Sequence, residues 1–210
     1  MLVTITPPQR SFNLMVGSPP NLKPLDVTVV QCDALYLSAD ARVTIDADLT
    51  QNHPVTSEPV QGETIVKRAL SEFVAVTRSD DTHYHGVYCH SHHKRDFGDA
   101  FAPYQHSDSA LVATLIVAQK NGVASVAIDG DRSFLGGTCV EQRAHSRVVA
   151  TIILGIRSYM NEINWETIGS HVDTIIFAMG PEAYSAWEQN VEKLSAHFLR
   201  QTAEHRAARR

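Results

Sequence analysis

The sequence predicts an α/β fold, a three-layer α/β/α sandwich around a central mixed sheet. Two observations carry that reading. From Asn121-Gly122 onward the chain runs strand (Val123–Ile128), glycine-bearing loop (Asp129–Gly137), long helix (Val140–Met160), apolar strand (Val172–Met179) and final helix. Such alternation builds a sheet with helices on both faces, and a strand apolar at nearly every position is one covered on both sides. Earlier, Val30 to Val43 reads as a strand, a short turn carrying one acid, and a second strand.

Taken in order, Met1–Ile5 and Phe12–Val16 are extended runs, separated by Pro7-Pro8 and closed by Gly17-Ser18-Pro19-Pro20. Val27–Cys32 and Ala41–Ile45 follow as β-branched strands. Asp46 to Pro59 is polar and proline-punctuated, a long loop of the kind that carries function. Val66, Leu70 and Phe73 recur at helical spacing and predict a helix over about Gln61–Phe73, after which Val74–Val76 and Gly86–His90 are extended. Ser91 to Gln105 has no period and reads as a second loop. Ser107 or Asp108 then caps a helix whose Leu111, Leu115 and Ala118 share a face, stopped by Asn121-Gly122. In the last helix Tyr184, Trp187, Val191, Leu194 and Phe198 form one stripe, which reads as core.

With 210 residues and 43% hydrophobic content, the chain predicts one domain over 1–210, with 1–26 an N-terminal extension and 200–210 a basic tail. A net charge of −5 gives no general attraction to nucleic acid. Cys32, Cys89 and Cys139 are odd in number and far apart, which fits a reducing, cytoplasmic setting. The longest apolar run, Val148–Ile156, is too short to span a bilayer, so no membrane partner is expected.

The strand Ser125–Ile128 feeds Asp129-Gly130-Asp131-Arg132-Ser133-Phe134-Leu135-Gly136-Gly137 and then a helix. A strand that ends in such a loop presents backbone N–H groups at the positive end of a helix, where phosphate oxygens bind. Together with the Cys32-Asp33-Ala34 turn this suggests a nucleotide-diphosphate pocket.

Cys32-Asp33-Ala34, the spacer Tyr36–Ala39, Asp40-Ala41-Arg42-Val43, and the succession from Asn121-Gly122 to Leu199 resemble the macro domains, a family that binds ADP-ribose and in part hydrolyses its conjugates. The resemblance implies a macro-domain-like sandwich with ADP-ribose or a related NAD-derived nucleotide as ligand. An ADP-ribosylated protein is a further partner in that reading, and no cofactor or metal is called for. It also implies that Asp33 accepts a hydrogen bond from the adenine amino group, a charge-assisted bond suited to a carboxylate, with Ala34 supporting the ring. Ser133, Phe134, Leu135, Gly136 and Gly137 fall at the second phosphate loop, Gly62 at the glycine opening a helix, and Met179 where an aromatic often stacks on adenine. The strand end Val43-Thr44-Ile45-Asp46-Ala47-Asp48 departs from the hydrolytic pattern, with no asparagine and no glycine run after it. Weak or altered ADP-ribosyl hydrolysis is then what the resemblance leaves, with Asp48, Asp46 or His90 as the group that activates water or ribose.

Two other readings stand beside it. His90-Ser91-His92 resembles the JAMM zinc isopeptidases, with two imidazoles on one strand side, Ser107 and Asp108 as later ligands and Glu58 or Glu63 as base. His83, His85 and His93 are expected to pack or face solvent. The third reading is a non-enzymatic interaction module on a macro scaffold, permitted by the missing glycines.

Overall fold

The computed structural model describes residues 7–16, 23–46, 63–69, 72–80, 82–90, 102–130 and 172–185, together with 152, 155–156, 158–160, 187–189 and 191. Eight strands form one mixed sheet: β1 (Gln9–Val16), β2 (Lys23–Gln31), β3 (Ala41–Asp46), β4 (Glu63–Ala69), β5 (Glu72–Arg78), β6 (His83–His90), β7 (Ser125–Asp129) and β8 (Thr174–Met179). Their order across the sheet is β1-β2-β8-β7-β3-β6-β5-β4. The five inner strands β2, β8, β7, β3 and β6 are mutually parallel, with antiparallel β1 on one flank and the β5–β4 hairpin on the other. Their carboxyl ends therefore share one edge of the sheet.

Register fixes which side chains share a face. Leu25, Val27, Val29, Val43, Ile45, Val126, Ile128, Ile175 and Phe177 share one face and are buried, and Val30, Thr44, Ala127 and Ala178 on the other face are buried as well, so the middle of the sheet is covered on both sides. Helix α1 (Ala102–Lys120) lies on this side against β6, β3 and β5. From Ala110 to Gln119 it is buried at every position but Ile116, so it is covered well beyond its sheet-facing stripe. Close approach depends on Gly86 of β6: a Cβ there would collide with Thr114 Oγ1, whose hydroxyl donates to the Ala110 carbonyl at 2.7 Å. Helical residues 158–160 reach the same layer through Tyr159, whose hydroxyl donates to Gln119 Oε1 (3.0 Å) and accepts from Val172 N–H (3.3 Å).

Two predicted boundaries are corrected. The helix over Gln61–Phe73 is absent: 63–69 and 72–78 are strands paired antiparallel. Thr64-Ile65-Val66 and Val74-Ala75-Val76 are the β-branched content that a strand favours, and the helical spacing of Val66, Leu70 and Phe73 runs across two separate strands. Helix α1 begins at Ala102, ahead of the Ser107 or Asp108 cap, because Pro103 in the first turn has its φ preset for a helix and needs no N–H partner. Its end matches the sequence reading. Gly122 takes φ +79°, Gly122 N–H bonds Gln119 O (2.9 Å) and Val123 N–H bonds Ala118 O (3.2 Å), the paired bonds that close a helix through a left-handed residue. The core stripe also matches, with Tyr184, Trp187 and Val191 buried and Trp187 meeting Phe12 edge-on at 6.1 Å. Met1–Ile5, Leu194 and Phe198 lie outside the described residues.

Among the described residues no helix is long and apolar enough to cross a membrane.

Candidate functional site

Between β2 and β3 the chain must pass two intervening strands, β8 and β7. It does so in the nine residues 32–40, which include the 3-10 turn η1 (Ala34–Tyr36) resting on both strands. Handedness puts this crossover on the face opposite α1, since β2→β3 and β6→β7 travel in opposite directions across the sheet. Each end is pinned by an aspartate. At the start, Leu35 N–H donates to Asp33 Oδ1 (2.8 Å) and Tyr36 N–H to the Asp33 carbonyl (3.1 Å), a capping arrangement that needs a short acceptor side chain. At the finish, Asp40 Oδ2 accepts from Ser125 N–H (2.8 Å) and Ala124 N–H (3.1 Å), and Asp40 N–H donates to Ser125 Oγ (2.9 Å). The Ser125 N–H foremost holds the Asp40 carboxyl below its ordinary range.

At the shared carboxyl edge a cleft of about 480 Å³ opens, lined by Gln31, Cys32, Asp33, Ala34, Asp129, Ala178, Met179, Gly180 and Pro181. That volume suits a small molecule, and its place beyond the carboxyl ends of parallel strands is where open α/β sheets take ligands. The turn at Cys32–Ala34 and the end of β7 at Asp129, singled out in the sequence, thus face one space with β8 between them. Ala34 is buried while Asp33 is exposed, its Oδ1 held by η1. Burial, and next the Asp33 charge, push the Cys32 thiol up, which keeps it protonated and unreactive.

Electrostatically the cleft has two ends. Asp33 and Asp129 offer acceptors to amino or hydroxyl groups. On the β8 side, Pro181 opens a helix with Tyr184 N–H bonded to Gly180 O (2.9 Å), so first-turn N–H groups and the positive helix end lie at the rim. Gly180 and Pro181 were missed as site residues in the sequence, and Asp129 was read there only as the start of the loop after β7. A proline directly after an apolar strand was the available signal, because it marks a first helical turn.

Of the predicted site residues, Asp33, Ala34 and Met179 are brought together at the cleft. Met179 is fully buried and packs beneath Gly130, where a Cβ would meet the Ala178 carbonyl at 2.7 Å. Asp46 ends β3 and His90 ends β6, neighbouring parallel strands at the same sheet edge. Asp48, Gly62, His92 and the loop Ser133, Phe134, Leu135, Gly136, Gly137 lie outside the described residues. Asp108 sits within α1.

No family model matches the chain. No curated protein matches it either. Among solved structures it is similar to the macro domain of ganglioside induced differentiation associated protein 2, at 18% identity and TM-score 0.44, over 79% of this chain and 82% of that one. It is similar to the Oceanobacillus iheyensis macrodomain with ADP, at 10% identity and TM-score 0.47, over 90% and 98% of the two chains. A mutant of that macrodomain with ADPR gives 11% identity and TM-score 0.46, over 89% and 100%. The eight-stranded mixed sheet of the described residues, with helix α1 packed upon it, gives this chain an α/β fold.

Proposed function

We propose that the cleft binds ADP-ribose or a related NAD-derived nucleotide, with Asp33 accepting the exocyclic amino group of the base. The observation that carries this reading is the turn after β2: η1 fixes Asp33 Oδ1 through Leu35 N–H and so aims a carboxylate at the cleft mouth beside buried Ala34. A preset acceptor binds an amino group without the entropy of ordering a free side chain. The helix start at Gly180–Pro181 favours the phosphates, and Gly136-Gly137 would add a second group of N–H donors. ADP and ADPR are named in the Oceanobacillus structures; for this chain the reading rests on its own cleft.

Hydrolysis of ADP-ribosyl conjugates is the finer proposal, with Asp46, Asp48 or His90 activating water or ribose. An ADP-ribosylated protein would then be the partner. A carboxylate beside a pyrophosphate repels it, which sets weak or altered turnover as the expectation. A thermal-shift panel of ADP-ribose, NAD, AMP and zinc tests the reading: stabilisation by the nucleotides supports it, and a chain unmoved by all three nucleotides contradicts it.

A further inference from the structure

We propose that Asp129 decides which nucleotides the cleft accepts: it binds the 2′,3′-diol of the adenosine ribose and excludes nucleotides phosphorylated there. This deepens the nucleotide reading of the cleft and rests on it. Asp129 ends β7, is half-buried and lines the cleft. Ser125, Ala127 and Asp129 share one face of β7, and on that face Ser125 Oγ accepts from Asp40 of the β2–β3 crossover. Asp129 and the turn that carries Asp33 therefore lie on the same side of the sheet. In register, Asp129 and Val30 flank Ala178 of β8 from either side, which sets them two strand spacings apart, about 10 Å. Small, buried Ala178 is the floor between them. The backbone leaving Asp129 lies hard against β8, since a Cβ at Gly130 would meet the Ala178 carbonyl at 2.7 Å.

That breadth suits a base and its ribose laid across β8. With the amino group of the base at Asp33 and the phosphates at the Gly180–Pro181 helix start, the ribose diol is the donor left to face Asp129. A carboxylate only accepts, over about four lone-pair sites, so Asp129 can serve two hydroxyl groups beside its interaction within the chain. The same charge works against a phosphate. Among the described residues lining the cleft there is no Lys, Arg or His to receive a 2′-phosphate, which the Asp129 carboxylate repels. Dinucleotide sites in α/β sheets divide in the same way, with an acid for the free ribose hydroxyl and an arginine for its phosphate.

Calorimetry on the full chain with ADP-ribose and with ADP-ribose 2′-phosphate tests the proposal, in the native protein and in Asp129→Asn, which keeps the shape of the side chain and removes its charge. The native chain is expected to bind ADP-ribose at least about tenfold more tightly than the 2′-phosphate. In Asp129→Asn the affinity for ADP-ribose should fall about tenfold, as for a lost charge-assisted bond, and the gap between the two ligands should narrow to about threefold or less. Equal native affinities for the two ligands would overturn the inference without any variant, as would a gap that Asp129→Asn leaves unchanged. In both of those outcomes ADP-ribose binds and the nucleotide reading stands; a native chain that gives no heat with ADP-ribose would overturn that reading and this inference with it.

Discussion

Asp40 and Ser125 hold each other from both sides: the Asp40 carboxylate accepts the Ser125 N–H at 2.8 Å, and the Asp40 N–H donates to Ser125 Oγ at 2.9 Å. This clasp fixes where the crossover from β2 lands on β7, and so fixes the path that leaves Asp33 at the opposite edge. Asp40→Ala is expected to cost about 1 kcal/mol, the value of a charge-assisted bond reduced for solvent exposure. Since the folded-state carboxyl titrates below its ordinary 3.8, the contribution is present above that pH and is lost as pH falls from there through the folded value. Acid unfolding should therefore separate the native chain from Asp40→Ala above pH 4 and bring the two together in stronger acid; a constant gap would contradict the assignment.

Gly86 marks the closest approach of β6 to α1. Gly86→Ala places a methyl group against Thr114 Oγ1 and is expected to destabilise by about 1–3 kcal/mol. Thr114→Ala in the same chain removes that atom, so the double variant should be more stable than the sum of the single effects predicts in denaturant unfolding.

Two buried tyrosines should respond in opposite directions to loss of the hydroxyl. Tyr159→Phe strips a partner from Gln119 Oε1 and Val172 N–H and is expected to cost about 1–3 kcal/mol. Tyr84 Oη is buried without a hydrogen-bond partner among the described residues, so Tyr84→Phe should leave the melting temperature unchanged or raise it.

Cys32 reports on the cleft chemically. Its thiol is held protonated by burial and by Asp33, so iodoacetamide labelling mapped by mass spectrometry should be slow at pH 7. Asp33→Asn removes the neighbouring charge and should speed labelling. Saturating ADP-ribose should slow it in the native chain, and labelling indifferent to the nucleotide would place the ligand elsewhere.

Sequence patterns reached the elements whose signals are local. Asn121-Gly122 announced the end of α1 because one left-handed residue is needed there, and Val172–Met179 announced a doubly covered strand by composition alone. The β4–β5 hairpin was hidden because Val66, Leu70 and Phe73 imitate a helical period, although Val66 belongs to β4 and Phe73 to β5. The cleft was legible at Asp33 and Ala34, in the turn that follows β2, and at Met179, which ends β8. The convergence of His83 and His85 on Thr44 was not, since it arises from the pairing of β3 with β6, forty residues of separation that no local pattern encodes.

The central claim is that Asp33 reads the base of a nucleotide in the cleft. Calorimetry with ADP-ribose on the native chain and on Asp33→Ala addresses it most directly. A saturable heat in the native chain, with affinity at least about tenfold weaker in the variant, is the predicted result for a lost charge-assisted bond. Equal heats and equal affinities in the two proteins would contradict it.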